Sequence, residues 1–441
     1  MRAICFKGGS MEVEGNPDHI KATAYFSRIL SDARVPGMQD VNVIAIAHIV
    51  DSAIAFIPAL DKHFALRAFL GKPSSMQENA SGFLSAAVPK REHALNKEEF
   101  KKNPSAIFAE VLPEIDRAID PQKRPRLILL DIGGYFAPLR ADATRQLAEL
   151  RDAVDALGYR LVGIIEDTEN GHKRYERALA ATSSEETLGF NVYSVARSPL
   201  KKPENHLVGV AVTFSIEAIL RQSNIVLQSR RAGVIGFGPI GRSVAHSLRG
   251  RGIPVTICEL DSIRLAQAAA QGFRVYDFRR QFEEFATTAN LLVSATGAGA
   301  SGDRGERPIS EKTIGALRPG TFVASVTSAD DEIDIQSLIA ADYSPTPLRY
   351  NGDIAKWRQS SPRGTNGHEF YLMLGGNAVN FKHEGVIGPA IQLLQGEIAA
   401  CLVKALEPAE SVRYVLELNH EDRTRVADMW LDQYLTDSAW S

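Results

Sequence analysis

The chain has 441 residues, of which 44% are hydrophobic and 23% are charged, and its formal net charge is -3. This length and composition are typical of a globular protein with two domains, and they exclude collagen, coiled coil and wholesale disorder. The near balance of 50 basic and 53 acidic side chains gives no reason to expect a nucleic acid or an anionic membrane as the partner.

The three cysteines, Cys5, Cys258 and Cys401, lie far apart and form no CxxC pair. We therefore expect neither a disulfide framework nor a cysteine-built zinc site. His172 and His383 also lack the partner spacing of a metal site, so no metal is expected. Because no leader pattern and no apolar run of bilayer length is recognised, we expect a cytoplasmic protein without a membrane partner.

In the first half of the chain, apolar runs alternate with a helical pattern. Runs that predict buried strands occupy residues 41–48, 126–134 and 160–171. The stretch 141–158 predicts a helix that ends at Gly158. This alternation predicts a parallel sheet with helices on both faces, whose ligands bind beyond the carboxyl ends of the strands. Polar residues follow all three runs at that point, namely His48, Asp131 and the group Glu166, Asp167 and Thr168.

A second α/β block begins near Val208. Residues 208–223 predict a long helix, and residues 230–261 predict a strand, a glycine turn, a helix and a second strand. Later strands are expected in residues 290–297 and 320–328, with a polar glycine-rich loop between them. Residues 388–407 again have a helical pattern.

The strongest motif is a glycine turn of the form GxGxxG. It consists of Gly236, Phe237, Gly238, Pro239, Ile240 and Gly241. The turn follows a predicted strand and opens a predicted helix, and Glu259 ends the next strand 18 residues after the last glycine. This order is typical of a dinucleotide site, in which the carboxylate accepts from ribose hydroxyls and would repel a 2′-phosphate. NAD is therefore favoured over NADP, although Arg264 keeps NADP open. A glycine turn in a protein that binds no nucleotide is the alternative.

The segment from Gly233 to Val275 resembles the cofactor domain of S-adenosylhomocysteine hydrolase. The resemblance includes the strand NLLVSATG and the later stretch SADDEIDIQSL. It implies NAD as a cofactor that stays bound and is regenerated in each turnover. Beyond the glycine motif and Glu259, it implies four further cofactor contacts, at Thr168, Asn170, Thr296 and Gly297.

The resemblance extends more thinly through the first 200 residues. The segment AHIVDSAIAF places His48 on the general acid/base histidine of the family, and ARSPLKKPENHLVG places Lys201 on its catalytic lysine. The segments GKPSSMQEN, LLDIGG and IIEDTENGHKRY are similar to substrate loops of the family. Together they imply His48, Lys201 and Asp131 as catalytic residues and Ser75, Gln77 and Asp167 as substrate contacts.

Several positions depart from the family pattern. Ile132 stands where the second acid of the aspartate loop belongs. Asn205 and His206 replace an aspartate and an asparagine, and Asn380 replaces a histidine. We keep Asn205 and Asn380 as candidate substrate contacts and His206 as a candidate new acid/base. The family's C-terminal tail, which reaches a neighbour's NAD site, is not recognisable here.

These observations predict an α/β protein with a Rossmann-type NAD-binding domain inserted in a discontinuous α/β substrate domain. The predicted ranges are 1–205 with 381–408 for the substrate domain, 206–380 for the NAD domain and 409–441 for a tail. A cleft at the hinge is expected to close over the substrate. By resemblance, the chain is expected to form a homo-oligomer, a dimer or a tetramer.

The predicted reaction is a transient oxidation of the 3′-hydroxyl of a nucleoside-like substrate, which allows elimination and addition at the 5′ carbon. Three alternatives stay open. The first is a nucleoside dehydratase or lyase on the same scaffold. The second is a plain oxidoreductase acting on a small hydroxy acid or amino acid, and the third is a catalytically inactive NAD-binding regulatory protein.

Overall fold

The structure is a computed structural model, and it describes residues 16–32, 35–113, 115, 120, 123–137, 144–297, 307–327, 332–360, 367–383, 385, 388–409 and 413–435. The chain divides into two compact units. Unit 1 comprises Met1–Lys201 and Ile387–Ser441, and unit 2 comprises Lys202–Val386. The divisions lie a few residues from the predicted ones, and the predicted tail from residue 409 belongs to unit 1.

The strands alternate with helices over most of the chain. The strands of the described residues are β1 Asn42–Ile49, β2 Ala65–Met76, β3 Glu92–Ala94, β4 Arg126–Asp131, β5 Arg160–Glu166, β6 Asn191–Ser194, β7 Ala232–Ile235, β8 Val255–Glu259, β9 Arg274–Asp277, β10 Leu291–Ser294, β11 Thr321–Ser325, β12 Tyr343–Leu348, β13 Asn351–Gln359 and β14 Glu369–Met373. The α-helices are α1 Pro17–Asp32, α2 Ala53–His63, α3 Glu78–Ala87, α4 Lys97–Lys102, α5 Ala106–Val111, α6 Gln146–Ala156, α7 Glu169–Ala181, α8 Lys202–Gln222, α9 Pro239–Gly250, α10 Ser262–Ala270, α11 Phe282–Ala286, α12 Glu311–Gly315, α13 Ile335–Ala340, α14 Pro389–Lys404 and α15 His420–Leu435.

The predicted strands and glycine-turn unit are confirmed, with small shifts at helix ends. Helix α6 begins at Gln146, and part of the predicted helical stretch, residues 141–143, lies outside the described residues. Gly158 follows the end of α6 with a φ of 82°, a conformation that suits glycine after a helix. Helix α8 begins six residues before the predicted start, so Asn205 and His206 lie in its first turns.

Unit 1 contains a six-stranded sheet with the order β3-β2-β1-β4-β5-β6. All five strand pairs are parallel. The strands β2 and β3 are added on one side of β1, and the chain then returns so that β4 lies on the other side of β1. The point where the direction reverses, between β1 and β4, is where ligands bind in open α/β sheets. His48 and Asp131 lie at the carboxyl ends of these two strands.

Apolar residues cover both faces of the unit 1 sheet, which is why its central strands are almost continuously apolar. In β1, Val43 and Ala45 pack on one face with α1, α2, α14 and α15, whereas Ile44 and Ile46 pack on the other with α5, α6 and α7. This alternation follows from the two-residue period of a strand. The helices α14 and α15 come from the C-terminal part of the chain, so unit 1 is discontinuous.

Unit 2 contains an eight-stranded sheet with the order β12-β13-β14-β11-β10-β7-β8-β9. The six strands from β14 to β9 are parallel, and β12 and β13 add an antiparallel edge. Here the direction of building reverses between β7 and β10. The predicted α/β fold is therefore confirmed. Among the described residues, no helix has both the length and the apolar character needed to cross a bilayer.

Candidate functional site

The glycine turn of unit 2 lies at the reversal point between β7 and β10. Gly236 has a φ of 93°, and a Cβ there would lie 2.6 Å from the carbonyl oxygen of Ala295. A Cβ at Gly241 would overlap the carbonyl oxygen of Gly236. At Gly238, in contrast, the nearest atom to a Cβ position is a guanidinium nitrogen of Arg264 at 3.6 Å. The first and third glycines are therefore needed for packing, while the second leaves space on the outer side of the turn.

That space lies where the helix α9 begins. Gly238 is the N-cap of α9, and Pro239 occupies the first helical position, where the missing N–H costs no hydrogen bond. The N–H groups of the first turn and the helix dipole favour an anion. An approaching pyrophosphate would contact the backbone at Gly238 and the N–H of Ile240. This cradle, which a side chain at Gly238 would fill, fits a dinucleotide.

Glu259 is fixed beside the glycine turn. The carboxylate is only 6% exposed. One oxygen accepts from the backbone N–H of Phe237 at 2.6 Å, and the other accepts from Leu260 at 2.6 Å and Asp261 at 2.9 Å. The oxygen that accepts from Phe237 has a second lone pair that can accept from a ribose hydroxyl. A negative charge held here fits a 2′-hydroxyl and would repel a 2′-phosphate.

The loop after β10 faces the glycine turn across the reversal point, and a second buried glutamate holds it. Glu332 is fully buried and accepts from the N–H of Gly297 at 2.7 Å and from the hydroxyl of Thr296 at 3.0 Å. It also accepts from the hydroxyl of Ser294. Burial raises the pKa of Glu332 above its usual value. Sequence analysis predicted Thr296 and Gly297 but missed Glu332, which lies in the stretch SADDEIDIQSL.

In unit 1, a bulge in β2 lies opposite His48. Ala47 pairs with Gly71 and Ile49 pairs with Met76, so four residues of β2 stand against one residue of β1. The bulge brings the hydroxyl of Ser75 to 2.5 Å from Nδ1 of His48. The same hydroxyl donates to the carbonyl of Lys72 at 3.4 Å. Bulges are common beside functional sites because they change the direction of a side chain.

His48 is electrostatically biased toward the neutral form. Its pKa is lowered well below its usual value, first by burial and then by the positive charges of Lys72 and Lys201. Nδ1 of the ring and the hydroxyl of Ser75 share one hydrogen bond. A neutral imidazole has one nitrogen with a lone pair, and that nitrogen can take a proton.

Lys201 and Asp167 form a largely buried ion pair. Lys201 lies in the short 3₁₀ turn Pro199–Lys201 after β6, and Asp167 follows β5 directly. The ammonium nitrogen is 2.7 Å from Oδ1 of Asp167, and the two side chains are 11% and 13% exposed. The structure thus brings together His48, Ser75, Asp167 and Lys201 along the carboxyl edge of one sheet. Sequence analysis missed Lys72, whose positive charge lowers the pKa of His48 more than that of Lys201 does.

Asp131 and Glu166 form a buried pair at the ends of β4 and β5, where they are register partners. Oδ2 of Asp131 accepts from the N–H of Phe136 at 3.0 Å and from the hydroxyl of Tyr175 at 2.7 Å, while Oδ1 has no hydrogen-bond partner among the described residues. Burial raises the pKa of Asp131. Asp131 is 0% exposed, so none of its atoms faces solvent in this conformation. The predicted catalytic role would require an atom that a substrate can reach.

Glu166 holds the loops that follow β4 and β5. Its carboxylate accepts from the N–H groups of Gly133 and Gly134 at 3.0 and 2.9 Å. It also accepts from the N–H and hydroxyl of Thr168 at 2.6 and 2.7 Å. Burial, followed by the charge of Asp131, raises the pKa of Glu166 to about 8. The oxygen of Thr168 also accepts from Gly171, so this predicted cofactor contact is the N-cap of α7.

The other predicted residues have varied surroundings. Asn170 lies in the first turn of α7, and the backbone N–H of Gln77 donates to the carbonyl of Ile49. Asn205, His206 and Asn380 belong to unit 2. His206 is exposed, with its Nδ1 3.4 Å from the hydroxyl of Ser243 on α9. Asn380 is buried, and its Oδ1 has no hydrogen-bond partner within the described part of the chain.

The chemistry available is therefore different in the two units. Unit 2 has an anion cradle, a fixed carboxylate and a rigid facing loop, which are binding elements. Unit 1 has a neutral imidazole, a lysine paired with an aspartate and a buried carboxylate pair, which are proton-transfer groups.

Comparison with known proteins identifies a family domain in unit 2. Residues 210–381 match the family model described as the S-adenosyl-L-homocysteine hydrolase, NAD binding domain. The chain is similar to an S-inosyl-L-homocysteine hydrolase of Methanopyrus kandleri, with 27% identity over 66% of this chain and 64% of that protein. It is also similar to an adenosylhomocysteinase of Sulfolobus acidocaldarius, with 28% identity over 50% of this chain and 48% of that protein. The matched segments thus span from about half to just under two thirds of these relatives.

Among solved structures, a dipicolinate synthase from Bacillus halodurans superposes with a TM-score of 0.43 and 10% identity. The superposition covers 83% of this chain and 99% of that one. A similarity at this level carries no conclusion about function.

Proposed function

We propose that the chain is a diverged member of the S-adenosylhomocysteine hydrolase family, and that it oxidises a ribosyl 3′-hydroxyl of a nucleoside thioether or related nucleoside. The observation that carries the proposal is that one chain has both a dinucleotide cradle, in unit 2, and the buried Lys201–Asp167 pair, in unit 1. Bound NAD would supply the hydride acceptor for this oxidation.

Lys201 and Asp167 are proposed to act on the hydroxyl that is oxidised. With its oxygens acting as acceptors, Asp167 can hold a ribosyl hydroxyl and fix its orientation. Lys201, 2.7 Å from Oδ1, must be a neutral amine to take the proton that leaves this hydroxyl, and the resulting ammonium, paired with Asp167, can return the proton when the ketone is reduced again. The pair is largely buried, so few water molecules compete for the proton.

His48 is proposed to act on the carbon-bound proton next to the ketone and then on the 5′ leaving group. A ketone makes the neighbouring C4′ hydrogen acidic, and a neutral imidazole is the form that can remove it. The lowered pKa of His48 keeps this form available at neutral pH. After accepting the proton, the ring can donate it to the departing 5′ group, which completes an elimination.

The product depends on whether water adds after the elimination. At the position relevant to this step, the chain departs from the family pattern described under sequence analysis. Ile132, which follows the first acid of the loop, is 8% exposed and cannot polarise a water molecule. This observation favours a second candidate function, namely elimination without hydration, which would make the chain a lyase. Homo-oligomer formation and a cytoplasmic location remain predictions.

The experiment uses a deuterium label at the 3′ carbon. NAD-loaded protein is mixed with 3′-deuterated adenosine, inosine and their homocysteine thioethers, then quenched in alkali, in which reduced cofactor is stable, and the mass of the released cofactor is measured by mass spectrometry. The proposal expects reduced cofactor one mass unit heavier than with unlabelled nucleoside. The same mixtures identify the product, since a hydrated nucleoside indicates hydrolysis and a 4′,5′-alkene indicates elimination.

Two results would contradict the proposal. Reduced cofactor without the label would mean that the hydride comes from another position. Bound NAD that stays oxidised with every nucleoside would favour an inactive regulatory protein, and reduction by a small hydroxy acid instead would favour a plain dehydrogenase.

A further inference from the structure

A buried chain of ionic and hydrogen-bonding side chains lies in unit 1 behind the turn that carries Lys201. Glu397 on α14 is fully buried. One of its oxygens accepts from Nε of Arg423 on α15 at 2.8 Å, and the other accepts from the hydroxyl of Ser198. Arg423 also donates to Glu417 at 2.7 Å. We call Ser198, Glu397, Arg423 and Glu417 the Glu397 chain.

The Glu397 chain ends at the backbone of the lysine turn, the 3₁₀ turn Pro199–Lys201. The oxygen of Ser198 accepts from the N–H of Leu200 at 3.0 Å. The carbonyl of Ser198 accepts from the N–H of Lys201 at 3.2 Å. Ser198 is 2% exposed, so water does not replace these contacts. The side chain and backbone of one residue thus fix the two residues that follow Pro199.

The C-terminal segment also holds the strand that leads into this turn. Leu416 forms a parallel bridge with Tyr193 of β6. Its N–H donates to Val192 and its carbonyl accepts from Ser194, both at 2.8 Å. The residues between β6 and Lys201 are therefore fixed at one end by Leu416 and at the other by Glu397. This region had no recognised role in the sequence.

We propose that Glu397 is a positioning residue for Lys201: through Ser198 it fixes the turn that holds the lysine ammonium against Asp167. This inference rests on the proposed function, in which Lys201 transfers the proton of the oxidised hydroxyl. A buried carboxylate is costly unless it is paired and fully hydrogen-bonded. Arg423 and Ser198 supply those partners, and the turn gains a rigid acceptor that water cannot displace.

The test measures the reactivity of Lys201 directly, without a substrate. Trace acetylation with acetic anhydride, followed by fragment mass spectrometry, gives the ratio of labelling at Lys201 to labelling at the exposed neighbour Lys202. The pairing with Asp167 predicts a low ratio in the unchanged protein. Ser198→Ala removes a hydrogen bond to a charged group, and we expect the ratio to rise about tenfold.

Two further variants keep the test decisive. Ser194→Ala removes an equally buried hydroxyl, whose oxygen accepts from the nearby N–H of Ala196, and it should leave the labelling ratio unchanged. Glu397→Gln keeps an acceptor for Ser198 but loses the charge that pairs with Arg423, and the ratio should rise by less than in Ser198→Ala. Circular dichroism confirms that each variant is folded.

The inference is overturned if folded Ser198→Ala and Glu397→Gln both keep the labelling ratio of the unchanged protein. The proposed function has a separate readout, the reduction of bound cofactor by a nucleoside. A raised labelling ratio in a protein that reduces no cofactor with any nucleoside would therefore support the positioning role and contradict the proposed function.

Discussion

The reversal points of the two sheets occupy equivalent positions, but backbone atoms shape one and side chains shape the other. In unit 2, the space at Gly238 is shaped by backbone, because side chains are excluded at Gly236 and Gly241. In unit 1, the corresponding edge is made from side chains, chiefly His48 and the Lys201–Asp167 pair. Each edge also has a buried glutamate, Glu166 in unit 1 and Glu332 in unit 2, that accepts hydrogen bonds from N–H and hydroxyl groups of the loops.

This difference explains why the two sites resemble the family to different degrees. A backbone cradle requires the same glycines whatever else changes, so its motif stays recognisable. A site made of side chains can change its chemistry by one substitution without disturbing the strands that carry it. Ile132, which follows β4, is an example, since the resemblance described above implies an acid at this position.

The largest effect is expected from Lys201→Ala. General acid–base groups contribute about 10²- to 10⁴-fold to a rate, so the rise of absorbance at 340 nm after nucleoside addition should slow by about that factor. NAD affinity should not change, because the cradle belongs to unit 2. Lys202→Ala, which removes the exposed neighbour, is the control. An unchanged rate in Lys201→Ala would contradict the proton-transfer role of Lys201.

Gly238→Ala tests the other half of the comparison. The new methyl group has room in the folded chain but occupies the space in which a pyrophosphate would contact the backbone. We expect NAD affinity, measured by calorimetry, to fall about 10- to 100-fold with little change in thermal stability. The control is Gly250→Ala in the same helix, where a Cβ meets nothing within 4 Å. It should keep NAD affinity, and equal losses in both variants would argue against a pyrophosphate at Gly238.

Asp131→Asn tests the buried carboxylate pair through the pH dependence of the free energy of unfolding. The pKa of Glu166 is raised to about 8 from an ordinary value of 4.5. Because the folded state binds this proton more tightly than the unfolded state, protonated Glu166 contributes fully to stability below about pH 4.5. This contribution is lost as the pH rises through about 8. Removing the charge of Asp131 lowers the pKa of Glu166, so the free energy of unfolding should decline less between pH 5 and 9.

The expected reduction in that decline is on the order of 1 kcal/mol, measured by urea denaturation at each pH. The control is Asp32→Asn, at the exposed end of α1. A decline in Asp131→Asn that is as steep as in the unchanged protein would show that the two carboxylates do not influence each other.

The smallest effect is expected from Ser75→Ala. It removes the hydrogen bond to Nδ1 of His48 but leaves the ring in place. The rate of cofactor reduction by a nucleoside should fall about 2- to 10-fold, the loss typical of one hydrogen bond. Ser85→Ala on α3, which removes a hydroxyl bonded to Glu92, should have no effect. A loss in Ser75→Ala as large as in Lys201→Ala would contradict this ranking.

Much of the fold was predictable because strands buried on both faces leave a simple apolar signal. The runs 41–48, 126–134 and 160–171 contain most of β1 and all of β4 and β5, although the last two runs extend beyond the ends of their strands. Polar residues of these runs converge at one edge. The glycine motif was equally predictable, since its spacing reflects a steric requirement.

The rest of the site depends on contacts that sequence spacing does not encode. The bulge in β2 that brings Ser75 to His48 follows from strand pairing, which only the folded sheet specifies. In the sequence, Glu166 is one more acid at a strand end, although it is the residue that fixes two loops. The link between Ser198 and Glu397 joins residues 199 positions apart, and no local pattern indicates it.

The measurement that tests the central claim most directly is the absorbance at 340 nm of NAD-loaded protein after addition of adenosine, inosine and their homocysteine thioethers. The account predicts that at least one of them produces reduced cofactor that stays with the protein through gel filtration. No absorbance change with any of them, in protein shown to contain NAD, would contradict the assignment of ribosyl oxidation to this chain.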